Sequence, residues 1–454
     1  MKVKRFTRRS FVKMAGFGSL TVSSQSIYGA VEPDTKTVEV LNPFNRVPVS
    51  LIIDDSTCLV NMAYYGIPQF AEVFPDQYKQ DWRKLPQEIP DNFVREFGEW
   101  SIESGVKGKY SVVPYPACTG WVNRFIPGWT KRELEESLNL IREIIIPNWD
   151  IHPEMISHTR VIDIKTGKPF PYATPDYMEN WEWSQDKSVD ELASYQSYAL
   201  SILKEAGLNC EGLTTPGGYG SRNQDNLALS TLQAVRDVYR AEIPHYFRDV
   251  ITEKGKSVAP KVLYPADLEG TDPKCVVSII GCTDDWFGGW DGLVEGDPDS
   301  FITEDLGSGR MVEVIDSGEP AIIVCHWPGV YYNGSKTGFN ILKIVKNRLD
   351  QKYDNLIWMK LSEISRYWAA KKLTSLTVNK NKIDIKAPFA TDGFTLKINT
   401  SVLNTVIKNR SGEMKPLIRL KDLRALKAGT WYSDKNGTIV CFDLEKGSCE
   451  IIIS

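Results

Sequence analysis

Residues 47–56 read VPVSLIIDDS, a mostly apolar run that stops abruptly at two carboxylates. A strand with one wet face alternates polar and apolar residues; this one does not, so both of its faces must be covered. Similar runs recur as KYSVVPY (109–115), WDIHPEMIS (149–157), EGLTTP (211–216), KVLYPA (261–266), CVVSIIG (275–281), PAIIVCH (320–326) and NLIWMKL (355–361). Helical patterns separate them. Thr130 with Glu133 and Ser188 with Glu191 have the spacing of capping boxes, and residues 337–349 and 363–371 are further helical segments. Strand–helix alternation with continuous apolar strands predicts an α/β fold with a parallel sheet under helices. Seven or eight such units over roughly 330 residues predict a closed or nearly closed barrel. An open doubly wound sheet lacks its usual support, because no GxGxxG turn is present.

Both ends differ from this middle. Residues 1–30 carry a basic start, the pair Arg8-Arg9 and a short apolar run ending in small residues, the layout of a twin-arginine export signal. Beyond residue 372 the period becomes that of strands, with Asn-Gly and Lys-Gly turns. The expected division is therefore an export signal (1–30), a β/α barrel (31–371) and a small all-β domain (372–454). Removing the signal takes away Lys2, Lys4, Arg5, Arg8, Arg9 and Lys13 and moves the formal charge from -4 to about -10. An acidic chain without a basic stripe argues against nucleic acid or anionic membrane as partner. No segment is long and apolar enough for a membrane span. The eight cysteines form no CxxC pair, which argues against structural zinc. An oxidising compartment would permit a bridge between Cys441 and Cys449.

Parallel barrels gather their reacting groups at the C-terminal ends of the strands. Here the exits carry Asp54 and Asp55, Glu154 and His158, the loop TTPGG, Asp284, Asp285 and Trp286, and finally His326 and Trp327. Each has an ordinary explanation taken singly: a helix cap for Asp55, a turn for Asp284, a satisfied core group for His326. Five such exits at one rim point to a site.

This set, in this order, resembles the polysaccharide deacetylase superfamily over residues 45–370. The resemblance implies a distorted (β/α)7-type barrel that removes acetyl groups from glycans with a divalent metal, zinc or similar. LIIDD resembles the family's first motif, making Asp54 the base and Asp55 a metal ligand. EMISH resembles the second, with Glu154 four residues before a metal-binding His158. TTPGG resembles an Arg-x-Pro loop without its Arg, DDW an Asp-Trp motif containing Asp285, and the end of the seventh strand a motif whose His, here His326, is the general acid. The departure is at Ile162, where the family places its second metal-binding histidine. His152 is no substitute on an extended strand, since six residues span about 20 Å. Asp163 is the nearest candidate for a third ligand.

Asp54, Asp285, Glu154 and His326 are thus the candidate catalytic residues, and Asp55, His158 and Asp163 the candidate metal ligands. Loop tryptophans favour a glycan or oligosaccharide partner, because sugar C–H faces pack on such rings. Trp286, Trp327, Trp183 and Trp121 are the candidates, with MENWEWSQ (178–185) the stretch most expected to touch sugar. The expected function is an exported hydrolase that deacetylates a glycan through a metal. The alternatives are a glycoside hydrolase using the rim carboxylates and a catalytically inactive glycan-binding protein. Changing Arg8 and Arg9 to Lys is expected to keep the protein in the cytoplasm; unchanged delivery in cell fractionation would refute the export reading.

Overall fold

The computed structural model describes residues 37–409 and 411–454, so the expected export signal lies outside the described residues. A short strand β1 (Val38–Val40) precedes β2 (Val47–Asp54), which is buried at every position. Then follow β3 (Gly108–Ser111), β4 (Trp149–His152), a small hairpin of β5 (Ile162–Asp163) and β6 (Lys168–Pro169), β7 (Gly212–Thr214) and β8 (His245–Val250). Beyond them run β9 (Lys261–Ala266), β10 (Lys274–Gly281), β11 (Ala321–His326) and β12 (Leu356–Trp358). One sheet has the order β11-β2-β3-β4, with β12 also on β2, and these pairs are parallel. The other has the order β7-β8-β10-β9. The two sheets meet at both margins: Thr214 N donates to the Pro153 carbonyl at 3.0 Å, and Cys282 N to the Ile322 carbonyl at 2.8 Å. The architecture is α/β, built of two sheets joined by these short contacts.

One expected strand changes its role, and one strand was not expected. KVLYPA forms β9, but it runs antiparallel along the outer edge of β10. The parallel partner of both β7 and β10 is β8, HYFRDV, whose apolar run is too short and too interrupted by charge to read as a buried strand. The extended run 149–157 also stops early. β4 ends at His152, and Met155 and His158 have φ of 53° and 66°, the left-handed region that side chains disfavour. The 20 Å separation that assumed one straight strand therefore does not apply. His152 nonetheless stays away from the rim group, fully buried with its Nε2 3.0 Å from Nε2 of His245. Both capping boxes form as expected, at Thr130–Glu133 and Ser188–Glu191.

Strand alternation places the side chains. Val49, Leu51 and Ile53 face the cluster that holds Phe93 and Phe97 of the covering helix Asp91–Ser104. The even-numbered side of β2 faces the other way. Along it the register pairs Ile52 with Val324 and Lys109, and Asp54 with His326, while Ser111 pairs with His152. This inner face is apolar low down, where Ile52, Ile322, Val277 and Ile279 cluster with Leu361, Ile364 and Tyr367 of the helix Leu361–Leu373. It is polar at the strand exits.

The helix leads into β13 (Ser375–Asn379), β14 (Lys382–Ala387), β15 (Thr391–Ile398), β16 (Thr405–Lys408), β17 (Met414–Pro416), β18 (Ile418–Arg419), β19 (Thr430–Asp434), β20 (Gly437–Leu444) and β21 (Gly447–Ile453). They form two sheets, β1-β15-β20-β19-β18 and β13-β14-β21-β16-β17, whose inner residues join the same apolar cluster. Because β1 pairs with β15, the described chain starts in this C-terminal layer before it enters β2. All eight cysteines are free; Cys441 lies on β20 and Cys449 on β21, in different sheets, which corrects the expected bridge. No helix among the described residues is long and apolar enough to cross a membrane.

Gly108 is a point where close approach is required, since a Cβ there would lie 1.8 Å from the Leu51 carbonyl oxygen. Gly108→Ala is expected to destabilise the fold by about 2 kcal/mol or more in urea denaturation, because backbone rather than a flexible side chain must move.

Candidate metal and hydrolytic centre

At the exit of β2 the chain turns sharply through Asp55, whose φ is 59°. The turn aims its amide at Glu154, whose Oε1 and Oε2 accept it at 3.1 and 3.2 Å. Glu154 also accepts the Ser111 hydroxyl and, at 3.4 Å, the Lys109 ammonium. His158 reaches the same place by its own left-handed turn, with Nε2 2.8 Å from Asp55 Oδ1 and 3.4 Å from Glu154 Oε2. Asp55, Glu154 and His158 thus bring three ligating atoms within 4.8 Å of one another, all of them buried. Asp55 Oδ1 pairs with His158 Nε2, whose charge and hydrogen bond hold it as a carboxylate. Two buried carboxylates converging on one imidazole offer the mixed oxygen and nitrogen ligands that suit a divalent ion. The residues present suit the metal that the sequence resemblance implies.

The third member is Glu154, expected as a catalytic acid or base, and not Asp163. Asp163 turns its carboxylate onto its own hairpin, accepting Lys165 N at 3.0 Å and the Thr166 hydroxyl at 3.1 Å. A carboxylate spent on a local turn is a usual fate for Asp in hairpins, and nothing directs it to the rim.

Glu179 explains how the turn of His158 is held. Wholly buried, it accepts the amides of Ile156 and Ser157 at 3.1 Å and of His158 at 2.6 Å, and also the Tyr195 hydroxyl. Burial pushes its carboxyl up to about 7, with the Tyr195 bond pulling the other way. Its only sequence signal was its place in MENWEWSQ, where the tryptophans draw the eye.

Asp54 and His326 stand opposite each other in the β2–β11 register. Burial raises Asp54 to about 6, against the pull of Lys109, which forms an ion pair with it. His326 Nδ1 lies 2.9 Å from Asp285 Oδ2, and the same oxygen accepts the His326 amide at 3.2 Å. Burial works against the imidazolium, but the Asp285 bond and charge outweigh it and raise His326 to about 10. His158 rises to about 9, where burial is outweighed by Asp55 and then Glu154. Asp55 is lowered: burial raises it, but His158 prevails. The centre is rich in negative charge, which the His158 and His326 imidazolium groups and the Lys109 ammonium balance.

Of the four tryptophans expected to touch sugar, Trp327 is fully buried against Phe93, Phe97 and Tyr110. It is core, because the chain turns into a short helix at Trp327–Tyr331 and folds the ring inward. Trp121 stacks on Tyr115 at 4.2 Å, Trp183 packs on Tyr195 and Trp286 on Phe301, all three half-buried. A further ring, Phe70, lies 6.4 Å from that of His158 and is bordered by Tyr78, Trp181 and Trp290.

No family model matches the chain, and no curated protein matches it. Among solved structures it is similar to a protein from Pseudomonas aeruginosa described as a polysaccharide deacetylase, at 11% identity and TM-score 0.38, covering 71% of this chain and 91% of that one. It is also similar to a protein from Parabacteroides distasonis described as a glycoside hydrolase/deacetylase, at 10% identity and TM-score 0.40, covering 79% and 82%. A third is a CE4 family pseudoenzyme from Bacillus anthracis, at 12% identity and TM-score 0.30, covering 72% and 68%. These likenesses are too distant to argue for an activity, which has to be read from the centre itself.

Glu179→Ala strips three buried amides of their acceptor and is expected to cost about 2 kcal/mol or more of stability. Chemical denaturation measures it; a loss under about 0.5 kcal/mol would mean that the turn of His158 holds itself.

Proposed function

We propose that the protein is a divergent polysaccharide deacetylase-type hydrolase, exported from the cytoplasm, that removes acyl groups from a glycan with the help of a divalent metal. The observation that carries this reading is the buried group of Asp55, Glu154 and His158, set beside Asp54 and the His326–Asp285 pair. An ion held by those three residues would polarise an acyl carbonyl and make water more acidic. The chain's own residues supply the proton transfers. Asp54, with its carboxyl near 6, accepts a proton from the attacking water at neutral pH. His326 is charged at neutral pH and donates a proton to the leaving oxygen or nitrogen. Asp285 occupies Nδ1 and so leaves Nε2 for that transfer. Half-buried Trp181 and Trp290, next to the centre, offer a sugar-binding border in place of Trp327.

Glycosidic hydrolysis needs two carboxyl groups free to exchange protons or attack. Here Glu154 already accepts the Asp55 amide, a hydroxyl and an ammonium, and Asp285 is committed to His326. Acyl transfer is therefore the better-supported chemistry.

The expected result is acetate release from acetylated glycans without new reducing ends, lost on treatment with a chelator and restored by metal. Asp54→Asn and His326→Ala should each lower turnover about 10²-fold or more while leaving glycan binding intact. Reducing ends without acetate would favour the glycosidase instead. Glycan binding with neither product across a broad panel would leave a binding protein.

A further inference from the structure

Lys109 transfers no proton in the chemistry above, yet it stands inside it, paired with Asp54. It lies on the inner face of β3 and is fully buried. Its ammonium reaches the Ile53 carbonyl at 3.0 Å, Asp54 Oδ1, the Ser111 hydroxyl and, at 3.4 Å, Glu154 Oε1. Taking an ammonium out of water is costly unless its pairs repay it, and two of these four acceptors are carboxylates. One of them, Glu154, belongs to the candidate metal group, so a fixed positive charge sits one carboxylate away from the place of a divalent ion.

Two consequences of that placement have opposite signs. If Lys109 is scaffolding that merely orients Glu154, removing it loosens a ligand and weakens metal binding. If its charge dominates, removing it relieves repulsion of the ion, so binding tightens. Like charges this close in a buried centre interact far more strongly than in water. Glu154 also keeps its orientation without Lys109, because the Asp55 amide and the Ser111 hydroxyl still hold it. The geometry points to Lys109 as an internal counter-cation that lowers the affinity of the Asp55–Glu154–His158 site and keeps its divalent ion exchangeable. This rests on the metal reading proposed above.

Calorimetric titration of the whole protein with Mn²⁺ alone, comparing wild type with Lys109→Met, tests it without reference to activity. The variant should bind at least tenfold more tightly, and adding Asp55→Asn to it should abolish the gain. Unchanged or weaker binding in Lys109→Met would overturn the role of Lys109 while leaving the metal reading in place. A gain that survives Asp55→Asn would place the ion elsewhere and would also overturn it. Absence of binding in both proteins would overturn the metal reading and this proposal together. Should Lys109→Met fail to give a cooperative thermal transition, Lys109→Gln keeps a donor for Asp54 and reports the same quantity.

Discussion

The carboxylate of Glu154 ties the centre together. It receives the backbone of the β2 exit, the hydroxyl and ammonium of β3, and the approach of His158 from the loop after β4. Buried carboxylates persist only where donors meet them, and this one is met from three successive segments of the same sheet. The left-handed turns at Asp55 and His158 depend on it and on Glu179, which collects the amides of the second turn. Non-glycine residues in that region carry backbone strain of about 1 kcal/mol or more each. The buried hydrogen bonds offset it, and the result is two side chains aimed at a common point.

The inner face of the sheet separates two tasks by height. Low down, Ile52, Ile322, Val277 and Ile279 merge with the helix Leu361–Leu373 and the C-terminal strands into one apolar cluster. At the exits the same alternation brings Asp54, Lys109, Ser111 and His326 to the inside. The C-terminal layer therefore supports the centre from below through packing, and β1 fastens the start of the described chain to it. Such a base lets the exits carry charge that a freestanding sheet could not afford.

Strand identity and the acidic exits were legible in the chain because both are local. An unbroken run such as VPVSLIID has to be buried on both faces wherever it lies, and a polar residue at its end meets the rim. Asp54, Asp55, Glu154, His158, Asp285 and His326 were all found in this way, and the structure brings them together. HYFRDV was passed over because its apolar run is short; its burial comes from β7 and β10 on either side. The burial of Trp327 is not legible locally, because sequence shows that a tryptophan follows a strand and not which way the next turn folds it.

The α/β class, the strand–helix alternation, the capped helix starts and the identity of the residues at the exits follow from the order of residues alone. These depend on periodicity, hydrophobicity and short-range hydrogen bonding, which the order of residues specifies directly. Long-range packing is what makes Glu154 rather than Asp163 complete the trio, lets Glu179 hold the His158 turn, and sets Lys109 among the carboxylates. Those assignments depend on distances between segments tens of residues apart. They were settled by two left-handed turns and one strand register, and neither leaves a mark in the local pattern of the chain.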